Sequence, residues 1–301
     1  VNAMIADKDL LSSQQARILA EGVREAQRKL AELPQEKLDA AVECMAHELS
    51  PHAHELARMS HEETGYGNPR DKEFKNRFVC ERLPQALRKM RCVGILSEDS
   101  ERGTIDIGVP AGVIVALCPV TSPVSSTIYK TLLAIKSGNA IIFSPHPCAE
   151  KSMARTLDLL IKTAASCGLP EGSVSYLSTV AKSGTLELMH HPATSLLLIT
   201  GVPSMFGAAG RTGKPVIYGG SGNGPAFIER SADLRQAADD IVQSKTFDNG
   251  IAPSAEQSVV VDAPVADTLR RALLERGAHF MSEDESLKPA AFFFGPDARR
   301  K

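Results

Sequence analysis

The stretch SKTFDNGIAPSAEQSVVV, Ser244–Val261, has the shape of a catalytic loop. A helix-like run ends, Asn249-Gly250 turns the chain, and the apolar run Ser258–Val261 reads as a strand. A nucleophile belongs at such a turn, yet the residues there are Pro253, Ser254 and Ala255. Proline offers neither a nucleophilic atom nor a backbone N–H. Ser254 is the hydroxyl beside it, and without an adjacent base it stays protonated. Glu256 reads as a surface or helix-cap carboxylate.

Four more loops could approach a ligand: Cys118–Ser126, Ser144–Glu150, Thr200–Met205 and Tyr218–Pro225. Each follows an apolar run and carries small or rigid residues where backbone can come close to a bound molecule. Singly, each is as well explained by a plain turn, and Asn223-Gly224 in particular is ordinary turn chemistry. Together, on successive strands, they suit a ligand at the carboxyl ends of an open parallel sheet. No GxGxxG follows a strand, so the common dinucleotide fingerprint is missing.

The elements that must position these loops follow from hydrophobic periodicity. Residues 10–33 have helical spacing, with Ser12 or Ser13 as the cap. Pro34 opens a second helix, Pro51 a third, and residues 71–90 form a fourth. GTIDIGV, residues 103–109, alternates like an exposed strand. From Gly112 onward short apolar strands alternate with helices as far as PVIYGG. That alternation predicts an α/β fold with a doubly wound parallel sheet. The helices and the dinucleotide-type sheet should occupy residues 4–246. A second unit, residues 247–301, shows a strand and a helix, too few to close a core alone. Val1-Asn2-Ala3 before Met4 reads as a leftover of cloning.

The 301 residues are 43% apolar with a net charge of −2. That balance gives no electrostatic case for nucleic acid or an anionic membrane, and the apolar runs are too short to span a bilayer. The start of the chain reads as a polar amphipathic stretch rather than a leader. The six cysteines include no CxxC pair, and none follows Cys167. Buried free thiols in a reducing cytoplasm are the expectation. His47, His54 and His61 recur every seven residues, but Pro51 interrupts them, so surface or interfacial histidines are expected and no metal site.

EETGYG, DKEFKNRF, GTIDIGVPAGVI, IIFSPHP, LMHH, GKPVIYGGSGNGP and SKTFDNG…SAEQSVVV occur here in that order. In these segments the chain resembles the CoA-acylating aldehyde dehydrogenases, especially the aldehyde-dehydrogenase half of bifunctional aldehyde–alcohol dehydrogenases. The resemblance runs from about Ser13 to the end. It implies a Rossmann-like sheet of the aldehyde dehydrogenase superfamily with N-terminal helices and a partial catalytic domain. It also implies NAD or NADP as cofactor, CoA as co-substrate, and a small aldehyde or acyl-CoA as partner. The oligomerisation element of the family, which includes the GTIDIGV strand, implies a homo-oligomer. The cofactor contacts it implies are Thr121, Ser144, Pro145, His146, Thr200, Gly201, Val202, Met205, Gly220 and Ser221.

In such enzymes a cysteine attacks the aldehyde, hydride leaves to the nicotinamide, and CoA cleaves the thioester. An asparagine side chain and the backbone N–H of the cysteine hold the oxyanion. The present chain departs at both points. Pro253 stands at the nucleophile position and Ser122 at the asparagine position. Val202 and Ser204 replace glycines, and Val202 places a side chain beside the expected nicotinamide. His190-His191 match the LMHH segment and read as cations at a helix C-terminus. Three readings remain open: an NAD(P)-dependent acylating oxidoreductase, a pseudoenzyme that binds dinucleotide or serves assembly, and an enzyme with a redesigned site.

Overall fold

The computed structural model describes residues 7–294; Val1-Asn2-Ala3 and residues 295–301 lie outside the described residues. Four helices come first: α1 (Lys8–Ala31), α2 (Gln35–Leu49), α3 (Ala53–Thr64) and α4 (Pro69–Leu87). Asp7, not Ser12 or Ser13, caps α1, accepting from the backbone N–H of Asp9 at 2.9 Å and of Leu10 at 3.1 Å. Ser12 lies buried inside the helix, and its hydroxyl donates to the Thr179 carbonyl. Pro51 sits in a short 3-10 turn, Ser50–His52, that feeds α3.

Next comes an antiparallel hairpin, β1 (Gly94–Asp99) and β2 (Thr104–Gly108). Its two strands form a sheet of their own. Ile95, Ile105 and Ile107 are exposed on it.

The main sheet follows as β3 (Val113–Leu117), β4 (Ile141–Ser144), β5 (Val174–Tyr176), β6 (Thr194–Thr200) and β7 (Val216–Gly219). Between them run α5 (Pro123–Lys136), α6 (Glu150–Ser166), α7 (Lys182–His190) and α8 (Pro203–Gly210). Every pairing is parallel and the order is β5-β4-β3-β6-β7. The alternation of strand and helix therefore gives the doubly wound sheet it predicts. β3 and β4 are buried at every residue, as parallel strands covered on both faces must be. Ile128, Leu132 and Ile135 of α5 pack with Ile141, Ile142 and Phe143 of β4 in the core. The chain direction across the sheet reverses between β3 and β6, which opens a crevice at their carboxyl ends.

Two compact units divide between Ser221 and Gly222. The boundary falls before residue 246 for a reason of pairing. β8 (Gly224–Ile228) joins none of the five strands above; it pairs in parallel with β9 (Glu256–Val261), from Gly224↔Glu256 to Ile228↔Val261. The helix between them, α9 (Leu234–Thr246), and α10 (Ala266–Glu275) close a small core of Ile228, Ala238, Leu269, Ala272 and Leu273. A last helix, α11 (Glu283–Phe294), follows.

The expectation of free thiols needs correcting. Cys44 of α2 and Cys167, just past α6, form a disulfide with their Cα atoms 6.0 Å apart. Cys80, Cys92, Cys118 and Cys148 remain free, and of these Cys80 and Cys118 are buried. A pair separated by 123 residues leaves no mark in local spacing.

Candidate functional site

A cavity of about 170 Å³ opens at the carboxyl ends of β3, β4 and β6. Strand β3 ends in the wall with Leu117, followed by Cys118, and β4 ends there with Ser144, followed by Pro145, His146 and Pro147. The turn from β5 into α7 supplies Val180, Ala181 and Lys182. The turn from β6 into α8 supplies Val202, Ser204 and Met205. Most of this wall is apolar, with a few polar groups converging, as small-molecule sites usually are.

Those polar groups are held in place. The Ser144 hydroxyl lies 2.8 Å from the Thr185 hydroxyl, which also donates to the Ala181 carbonyl. The backbone N–H of Cys148 donates to His146 Nδ1 at 3.1 Å, so the proton of the neutral ring sits on Nε2. Burial pushes the His146 imidazole below its ordinary value. Gly201 turns the chain after β6 with φ of +66°; a Cβ there would meet Pro119 at 2.6 Å. Its N–H donates to the Gly219 carbonyl at 2.9 Å.

Of the residues singled out from sequence, Ser144, Pro145, His146, Val202, Ser204 and Met205 line this one cavity. Thr121 and Ser122 lie in the loop leading to α5, where two lysines of α4 reach them. Lys72 Nζ donates to the Thr121 carbonyl and Lys75 Nζ to the Ser122 hydroxyl, both at 2.7 Å. Thr200 borders instead a broad groove over β6 and β7, shared with Tyr218 and Gly219. Gly220 and Ser221 follow β7 at the surface. Cys118 belongs to a loop the sequence marks, whereas the Val180–Lys182 segment carries no such mark. β5 has three residues and its exit turn has no glycine or proline cluster, so little marked it as a ligand loop.

Lys130 of α5 stands at the switch point. Its ammonium donates to the Leu117 carbonyl of β3 at 2.5 Å and the Leu198 carbonyl of β6 at 2.9 Å. It thereby ties together the two strands that flank the crevice. Burial pushes this lysine below its ordinary value.

In the second unit Pro253 and Ser254 are exposed between a turn at Phe247–Gly250 and β9. Asp248 and Asn249 in that turn both adopt positive φ, 49° and 58°. Glu256 is not a helix cap; it opens β9, and its Oε2 is buried without a hydrogen-bond partner. His190 and His191 do end α7. His190 Nδ1 lies 2.9 Å from the Leu186 carbonyl, while His191 is buried and accepts from the Ala193 N–H. His54 pairs with Glu73 at 2.7 Å and His61 lies 3.3 Å from the Tyr66 carbonyl.

Two of the free cysteines, Cys80 and Cys118, are buried. Burial drives the Cys118 thiol up, and that of Cys80 up to about 12. A thiol must ionise to attack, so both are poor candidates.

The model of the aldehyde dehydrogenase family matches residues 2–300. The bifunctional aldehyde-alcohol dehydrogenase AdhE of Escherichia coli K12 is 38% identical over 267 residues, 89% of this chain and 30% of that protein. A probable aldehyde dehydrogenase from Listeria monocytogenes superposes with a TM-score of 0.93 at 40% identity, over 98% of this chain and 65% of that one. An acetylating aldehyde dehydrogenase from Geobacillus thermoglucosidasius gives 0.90 at 36% identity, over 96% and 64%. The chain thus spans under a third of the bifunctional protein and about two thirds of the solved ones. A five-stranded parallel sheet with its crevice at the β3–β6 switch point, matched along nearly the whole sequence, places the chain in the aldehyde dehydrogenase family, among relatives of the CoA-acylating kind.

Proposed function

We propose that this chain binds a nicotinamide dinucleotide at the β3–β4–β6 crevice but does not oxidise aldehydes by the thiol route. Pro253 carries the second half of this reading. It supplies no thiol for a hemithioacetal and no N–H for an oxyanion. Ser122, at the position of the second oxyanion donor, has a shorter side chain than asparagine and already accepts from Lys75. By family resemblance the ancestral reaction joins an aldehyde and CoA, with NAD(P)⁺ as oxidant, to give acyl-CoA. The competing reading, that this reaction persists here, has the acetylating relatives in its favour and needs a nucleophile other than Pro253.

The crevice suits the cofactor by its donor set. Apolar walls from Val180, Val202 and Met205 can flank a base, and Ser144, His146 and Lys182 offer polar contacts to a ribose and its phosphates. Residues Thr200, Gly201, Gly220 and Ser221 are further proposed contacts along the same strand ends. When bound, the nicotinamide supplies a hydride acceptor; this chain's residues would bind and orient it. The unit from Gly222 onward then stands for the opening part of the catalytic domain.

Titration calorimetry with NAD⁺ and NADP⁺ tests the reading. We expect saturable heat and a ligand-dependent rise in melting temperature, since a ligand of the native state must stabilise it. No heat and no shift at millimolar ligand would sink it.

The hairpin supports self-association with a second copy of the chain. Ile95 and Ile107 face each other in register and are 50% and 63% exposed, an edge that invites pairing. Light scattering should find an oligomer that Ile107→Lys weakens; a monomer across a wide concentration range would count against this.

A further inference from the structure

Ser60 of α3 is 2% exposed, and its hydroxyl is buried without a hydrogen-bond partner among the described residues. A buried hydroxyl left unmatched costs free energy, so such an atom calls for a guest. Ser60 lines a cavity of about 10 Å³ between α3, α4 and the start of α5, and Lys72, Lys75, Ser122, Val124 and Ser125 share its wall. That volume holds one occupant about the size of a water molecule, which excludes an aldehyde, a thioester or a nucleotide. The cavity shares no lining residue with the crevice at the strand ends.

The wall is rich in donors. α5 begins at Pro123, and its N-cap Ser122 makes no side-chain cap. The backbone N–H groups of Val124 and Ser125 therefore lie in the first turn, where the helix itself supplies no acceptor. The helix dipole adds partial positive charge at this end. Lys72 is 3% exposed, and its ammonium donates to the Thr121 carbonyl. The Lys75 ammonium donates to the Ser122 hydroxyl. No Asp or Glu lines the cavity among the described residues.

We propose that this cavity binds one small monovalent anion of the halide class, held by the Ser60 hydroxyl and the first N–H groups of α5 in the field of Lys72 and Lys75. A water molecule would fill the space but leave the helix end and both ammoniums facing a neutral guest; an anion answers all of them. The bound ion would fasten α3 to the loop that carries Thr121 and Ser122.

The test is thermal melting of the whole chain in sodium bromide against sodium gluconate at equal ionic strength, since gluconate is too large for the cavity. Bromide should give a saturable rise in melting temperature, as a ligand of the native state must. Ser60→Ala should raise the bromide concentration needed for half of that rise by about ten-fold, the worth of one hydrogen bond to an ion. Lys72→Met is the second variant and should weaken the effect likewise. A crystal soaked in bromide should show an anomalous peak in the cavity. Equal melting in both salts overturns the proposal, as does a bromide effect undiminished in both variants. A soaked crystal with water in the cavity and no peak overturns it too. A peak with no effect on melting marks an ion bound at crystal concentration only, and likewise overturns it.

Discussion

A methyl group placed on Gly222 would sit 1.9 Å from the carbonyl oxygen of Pro253 and 2.7 Å from its Cα. Gly222 leads into β8 and Pro253 into β9, the two paired strands of the second unit, so this contact fastens the Pro253 loop to the start of that sheet. The backbone of the loop is packed from the side at Gly222. The proline's fixed φ suits a loop held in this way.

Gly222→Ala should therefore be costly. Gly222 has φ of +80°, a left-handed conformation that a side chain disfavours, and the added carbon would overlap backbone that cannot rotate away. We expect a loss of about 1–3 kcal/mol from the conformation alone. A urea melt followed by circular dichroism measures it. Wild-type stability in Gly222→Ala would mean that the loop is not packed as described.

Cys44 and Cys167 predict a redox-dependent stability. Closing a loop between cysteines 123 positions apart restricts the unfolded chain, an effect of about 2–4 kcal/mol for a typical disulfide. Alkylation of denatured protein without reductant should modify four of the six cysteines, and all six after reduction. Reduction or Cys44→Ser should lower the melting temperature. Six alkylated cysteines before reduction, with no shift on reduction, would contradict the pairing.

How much was legible in sequence varies with the range of the interaction. The alternation from Gly112 to Gly220 marks the main sheet because each strand and helix announces itself through local periodicity. β1 escapes that reading: GILSED is exposed at nearly every position, so burial imposes no pattern on it. β8 escapes for another reason. Its partner β9 lies beyond a full helix, and Gly224-Pro225 at its start looks like a turn. In the crevice, Ser144–His146 could be read from the IIFSPHP segment, but Lys182 sits in an unremarkable turn that only folding brings beside it.

Tyr176 predicts a loss of stability in alkali. Its hydroxyl donates to Asp158 Oδ1 at 2.9 Å, and burial together with that carboxylate pushes the phenol up to about 12. The folded chain holds this proton after the unfolded chain has released it near the ordinary value of about 10. Stability from this group is intact below pH 10 and is lost progressively as pH rises toward 12. Tyr176→Phe should flatten that part of the stability–pH curve. An unchanged slope in the variant would assign the alkaline loss to other groups.

On the proposed reading, Pro253 ends the thiol-based reaction. Purified chain incubated with propionaldehyde, CoA and either NAD⁺ or NADP⁺ tests it most directly, by following reduced nicotinamide in the spectrophotometer. No rate above the protein-free background is expected. A CoA-dependent rate that scales with protein and is abolished by alkylating its cysteines would contradict this, because a thiol would then be carrying the reaction.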